Sequence, residues 1–137
     1  MGRNIVAGVV GVIVAFVLVL VVEMIGHTVY PPPQGLDFTD AQAMGHYVAT
    51  LPIGALLFVA GAWFVGATAG TCAACAIGTA RPMNFALVIG GLVFIGASFN
   101  LLMFPHPLWF SVLGLVGILV GAGLGTMCRR AASDNAE

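Results

Sequence analysis

Long uncharged apolar stretches alternate with short polar or proline-rich breaks along this chain. The first stretch runs without a charge for eighteen residues, from Ile5 to Val22. A helix needs about 20 apolar residues to cross the hydrocarbon core of a bilayer. The pattern therefore predicts four transmembrane helices, at about residues 5–29, 52–77, 85–104 and 108–127.

Composition supports a membrane location. Of the 137 residues, 61% are hydrophobic and only 7% are charged, whereas a soluble domain is about a quarter charged. We expect an all-α integral membrane protein, with a four-helix bundle over residues 1–130 and a short polar tail over residues 131–137. Four arginines and no lysine make no basic stripe, so nucleic acid is not an expected partner. The expected partners are the lipid bilayer and either the chain itself or another membrane protein.

The arginines predict an orientation. With four crossings, Arg3, Arg81, Arg129 and Arg130 all fall on one side of the membrane. The positive-inside rule makes that side cytoplasmic. We therefore expect both termini inside and the loops at residues 30–46 and 103–111 outside, in a bacterial inner membrane.

The first outer loop combines a rigid and a helical part. Its "PPPQG" segment, residues 31–35, cannot be helical, because consecutive prolines impose an extended backbone. The following "DFTDAQAM" segment predicts a short helix, with Asp37 or Thr39 as its cap.

Small residues recur at four-residue spacing in two of the predicted helices. One row comprises Ala62, Gly66, Gly70 and Ala74, and the other comprises Gly117, Gly121 and Gly125. Such rows allow helices to approach closely in a bilayer. Two interpretations remain open: tight packing between helices two and four or between protomers, or the general abundance of glycine and alanine in membrane helices.

Polar residues gather in the outer half of the predicted bundle. Glu23, His27 and Tyr30 share one face of the first helix. Glu23 lies about 10 Å below Tyr30 along that helix, where an ionised carboxylate facing lipid would cost a few kcal/mol. This face should therefore point into the bundle. Asn100 and Ser111 reach a similar level, so the five residues form a predicted intramembrane polar site.

Three roles for this polar site remain open. Glu23 could fix helix positions by hydrogen bonding to His27 or Asn100. It could instead belong to a proton-linked or substrate-linked site, because intramembrane carboxylates often mark transport pathways. A third role is a site for zinc or a similar divalent ion, with ligands drawn from Glu23, His27, His46 and His106. No other cofactor is expected.

The string "VEMIGHT", residues 22–28, resembles the glutamate segment in the first helix of the small multidrug resistance transporters. That family consists of short four-helix proteins, and the resemblance implies that Glu23 exchanges protons for a cationic compound within a dimer. The resemblance covers seven residues. The position of Glu23 near the helix end and the long proline-rich loop both depart from the family pattern.

The cysteines and the absence of catalytic motifs complete the prediction. Cys72 and Cys75 lie in an apolar helix and Cys128 lies at a similar depth, but an odd count without framework spacing implies no disulfide scaffold. We interpret all three as packing residues. No hydrolase triad, phosphate loop or nucleotide fingerprint is present in the sequence. The expected function is therefore that of a non-enzymatic membrane protein, oligomeric or an accessory subunit of a larger complex. The alternatives are a small proton- or cation-linked transporter or channel, and then a metal-binding membrane protein.

Overall fold

The computed structural model describes residues 1–37 and 39–129. These residues form five helices: α1 (Gly2–Val29), α2 (Ala41–Ala49), α3 (Ile53–Ile77), α4 (Pro82–Met103) and α5 (Leu108–Gly125). All except α2 are long and apolar enough to cross a membrane. The prediction of an all-helical bundle with four helices long and apolar enough to span a membrane is therefore confirmed. The predicted tail and Arg130 lie outside the described residues.

Prolines set the helix ends. Pro31 follows Tyr30, the C-cap of α1, which leaves the helical region at φ −123°, because the residue before a proline disfavours the α conformation. Pro52 and Pro107 are the N-caps of α3 and α5, and Pro82 occupies the first turn of α4. A missing N–H is harmless at these positions, since the first N–H groups of a helix have no partner within it.

The short helix α2 lies in the connection between α1 and α3, and its cap differs from the one predicted. Asp40 is its N-cap, and its carboxylate accepts hydrogen bonds from the backbone N–H groups of Gln42 and Ala43 at 2.9 and 3.3 Å. The prediction of Asp37 or Thr39 as the cap is wrong. The Asp37 carboxylate instead accepts from the hydroxyl and the N–H of Thr39, at 2.6 and 2.8 Å. These hydrogen bonds hold the pKa of Asp37 below its usual value.

Helix α3 packs against α1 through glycine. A Cβ added at Gly70 would lie 2.5 Å from the carbonyl oxygen of Gly11, and one at Gly66 would lie 2.8 Å from that of Ala15. Ala74 lies on the same contact, 2.8 Å from a Cβ added at Gly11. The backbones of α1 and α3 are thus as close as small residues permit.

Helix α5 packs against α3 through a second set of glycines. A Cβ added at Gly121 would lie 2.7 Å from the carbonyl oxygen of Phe64, and one at Gly125 would lie 2.5 Å from that of Thr68. Gly117 is in looser contact, at 3.9 Å from the Phe64 side chain. This contact agrees with the predicted close packing between the second and fourth spanning helices. The partner of Gly66 and Gly70, however, is α1 rather than α5.

The largest buried side chains fill the space between α3, α4 and α5. Trp63 and Phe110 pack with their ring centroids 5.5 Å apart, and Ile89 and Ile118 are fully buried. Ala62 in the middle of α3 is also fully buried.

Candidate functional site: a cavity beside Glu23

A cavity of about 190 Å³ lies between those ends of the spanning helices that the sequence predicts to be outside. Residues of α1, α3 and α4 form its sides, while α2 and the α4–α5 connection supply the remaining wall. Its polar lining residues are Glu23, His27, Tyr30, Tyr47, Asn100 and His106. Its apolar lining includes Leu51, Leu56, Phe58 and Val59. The fold therefore brings a polar face of α1 together with polar side chains from distant parts of the chain.

Most of the residues predicted for the polar site share this cavity. Glu23, His27, Tyr30 and Asn100 all line it, and so does His106. Two other candidates lie elsewhere. His46 is exposed on α2, and the Ser111 hydroxyl donates to the carbonyl oxygen of Pro107 at 3.5 Å.

The surroundings of Glu23 include a residue that sequence reasoning missed. Glu23 is half-buried, and the side chains of His27 and Trp63 are close enough to interact with its carboxylate. Trp63 is only 4% exposed, and a buried indole N–H requires an acceptor. The Glu23 carboxylate is near enough to be that acceptor, across the interface between α1 and α3. The sequence feature that could have revealed this neighbour is Trp63 itself, because a tryptophan buried at that depth needs an acceptor for its indole N–H.

Gly26 and Gly54 shape the wall of the cavity. Gly26 is buried against Phe58 of α3, at 3.1 Å from an added Cβ to the Phe58 Cβ. The Tyr30 ring packs edge-on against the same phenylalanine, with centroids 6.1 Å apart, and its hydroxyl occupies the space that a side chain at Gly54 would fill. These contacts fix the tyrosine at the mouth of the cavity.

His106 is held in a defined tautomer. Its Nδ1 lies 2.8 Å from the carbonyl oxygen of Phe104, and its ring stacks on Phe110 at a centroid distance of 5.0 Å. A carbonyl oxygen can only accept, so Nδ1 carries the proton. In the neutral ring, Nε2 is then an acceptor available to a ligand.

The metal hypothesis draws on four of these side chains. Glu23, His27 and His106 line the cavity, whereas His46 does not. Within residues 1–37 and 39–129, no three side chains of histidine, cysteine, aspartate or glutamate are close enough together to hold a metal ion.

The opposite end of the bundle carries a polar clasp formed by Arg3, Asn4 and Arg129. Arg3 Nε donates to the carbonyl oxygen of Ile77 at 2.6 Å, and the Arg129 guanidinium donates to those of Gly78 and Ala80. The Asn4 side-chain oxygen accepts from the N–H groups of Thr79 and Ala80 at 2.7 and 3.0 Å. The clasp therefore satisfies backbone groups that the end of α3 leaves without helical partners.

The structure pairs two of the three cysteines. Cys72 and Cys128 form a disulfide, with their Cα atoms 5.4 Å apart, a separation typical of such bonds. The interpretation of all three cysteines as packing residues is therefore wrong for this pair. Cys75 is buried and free, and it remains a packing residue. The matching depth of Cys72 and Cys128 was visible in the sequence, but helix packing alone decides whether two such residues face each other.

Comparison of the chain with protein-family models, curated proteins and solved structures found no match.

Proposed function

We propose that this chain is a non-enzymatic membrane protein that binds a small cation or protonated amine in its outer cavity, as a subunit of a larger membrane assembly. The observation that carries the proposal is the placement of Glu23 on the wall of a cavity lined by His27, Tyr30 and Asn100. Most of the described chain lies in spanning helices. Little is left outside them to bind a large soluble substrate.

The chemistry of the cavity favours a positively charged ligand. Glu23 is the one acidic residue in the four spanning helices, and the effective dielectric constant near it is lower than in water, which strengthens its attraction for a cation. The Tyr30 hydroxyl, the Asn100 carbonyl oxygen and the His106 Nε2 can each accept a hydrogen bond. A volume of about 190 Å³ holds several water molecules. A hydrated monovalent cation or a small alkylammonium ion would fit.

The interior beyond the cavity favours binding over passage through a single chain. Trp63 beside Glu23 is only 4% exposed, and Ala67, Ala74 and Ile118, which lie further along α3 and α5, are fully buried. Among the described residues, Thr71 is the one buried polar side chain of the core. A cation moving inward through one protomer would meet apolar side chains, where it has no ligands. This supports a binding role over the transporter or channel alternative.

Calorimetric titration of the purified protein tests the proposal. We would titrate Na⁺, K⁺ and methyl- to butylammonium into wild type, Glu23→Gln and Asp40→Asn. The proposal predicts saturable binding of at least one of these cations by wild type and at least tenfold weaker binding by Glu23→Gln. Asp40→Asn is the matched control, because it removes an outer carboxylate away from the cavity while asparagine still caps α2. Equal affinity in Glu23→Gln and wild type, or no binding of any cation, would contradict the proposal.

Flux measurements separate binding from transport. The binding role predicts no Glu23-dependent uptake of the bound cation into liposomes that contain the protein. Uptake that is lost in Glu23→Gln and kept in Asp40→Asn would favour the transporter alternative instead.

A further inference from the structure

A second concavity lies at the other end of the bundle, between α1 and α4. It has a volume of about 550 Å³. Its apolar lining includes Ile5, Gly8, Val9, Val12, Phe85 and Val88. On α1 it extends from residue 4 to residue 13, which is about 13 Å at 1.5 Å per residue. This groove runs along this part of α1 and is open on one side.

Gly8 keeps the groove open. A Cβ added there would meet no atom within 4 Å, in contrast to Gly11 one turn further along α1, which is packed against α3. Val9 and Val88 are 53% and 54% exposed. In a bilayer these side chains would contact hydrocarbon.

Asparagines line one end of the groove, and an arginine lies close to each of them in the chain. Asn4 and Asn84 line that end, Arg3 directly precedes Asn4, and Arg81 is the exposed N-cap of α4. Arg3 keeps its charge while its Nε donates to Ile77. The groove thus combines an apolar length that suits an acyl chain with two positive charges at the level of the headgroups.

We propose that this α1–α4 groove binds one anionic phospholipid, with an acyl chain along Gly8 and Val12 and the phosphate near Arg3 and Arg81. Basic clefts between transmembrane helices on the arginine-rich side are known to hold anionic headgroups. The positive charges of the two arginines favour an anionic headgroup over a zwitterionic one, which carries no net charge.

Native mass spectrometry of the detergent-solubilised protein tests the assignment with phosphatidylglycerol and phosphatidylcholine at equal concentrations. Wild type should bind phosphatidylglycerol at least about fivefold more tightly than phosphatidylcholine, since one arginine near an anionic surface changes affinity by about that factor. Arg81→Gln should weaken phosphatidylglycerol binding about fivefold and leave phosphatidylcholine binding unchanged. Equal binding of the two lipids by wild type would overturn the proposal.

Two glycine variants locate the site. Gly8→Leu fills the groove without displacing a neighbour and should remove the tightly bound phosphatidylglycerol. Gly123→Leu is the matched control on α5, where an added Cβ also meets nothing within 4 Å, and it should bind as wild type does. Unchanged binding by Gly8→Leu would overturn the proposal. If wild type is a dimer and Gly8→Leu is a monomer, the proposal is also overturned, because the groove would then hold a second copy of the chain.

Discussion

Gly70→Ala tests the close contact between α1 and α3. The new Cβ would lie 2.5 Å from the carbonyl oxygen of Gly11 and 2.7 Å from the Ala15 Cβ. A carbon–oxygen contact of this kind is normally at least about 3.3 Å, so α1 and α3 must separate by about 0.8 Å. Overpacking of this size costs about 1–3 kcal/mol. We expect Gly70→Ala to lower the free energy of unfolding by that amount, and Gly70→Leu to lower it further.

The assay is unfolding by SDS in mixed micelles, followed by circular dichroism and by tryptophan fluorescence. Gly61→Ala is the matched control, because Gly61 is also in α3 but an added Cβ there meets nothing within 4 Å. Its stability should equal or slightly exceed that of wild type, since alanine favours a helix over glycine. If Gly70→Ala is as stable as Gly61→Ala, the two backbones are not in close contact and the packing described above is wrong.

Three further predictions concern the disulfide, the turn at Asp37 and the orientation of the chain in the membrane. Cys72→Ser should lower the free energy of unfolding by about 4 kcal/mol, the loop-closure value for a separation of 56 residues. Dithiothreitol should destabilise wild type by the same amount and leave the stability of the variant unchanged. A wild type whose stability does not change in dithiothreitol would contradict the disulfide. Thr39→Ala should raise the pKa of Asp37, measured by carbon-13 NMR of its carboxyl group, and an unchanged pKa would refute the proposed cause. Because folding lowers this pKa, the turn is stabilised at neutral pH and loses that stabilisation as the pH falls through the folded-state value. The cysteine of Gln34→Cys should react with a membrane-impermeant maleimide in intact cells. If it reacts only after the cells are opened, the predicted orientation is reversed.

The spanning helices were predictable from sequence because their signal is local. Each is a long apolar run ended by proline or by polar residues, and the bilayer thickness sets its length. The face shared by Glu23, His27 and Tyr30 was predictable for the same reason, since helical geometry alone places the three together.

Contacts between helices were harder to predict because they depend on helix rotation. The spacing of Gly66 and Gly70 shows that some helix approaches closely, but not whether that helix is α1 or α5. The pairing of Cys72 with Cys128 and the contact of Trp63 with Glu23 also require two helices to present particular faces. The prediction of the α2 cap was wrong for a simpler reason. Asp37 and Asp40 both suit an N-cap, and the position where the helix starts decides between them.

The most direct test of the proposed function is infrared difference spectroscopy of the reconstituted protein on addition of the cation that binds most tightly. Our account predicts a shift in a carboxylate stretching band that is absent in Glu23→Gln and retained in Asp40→Asn, because the Glu23 carboxylate contacts the bound cation. A carboxylate band that is unchanged on binding, or a shift that persists in Glu23→Gln, would contradict the account.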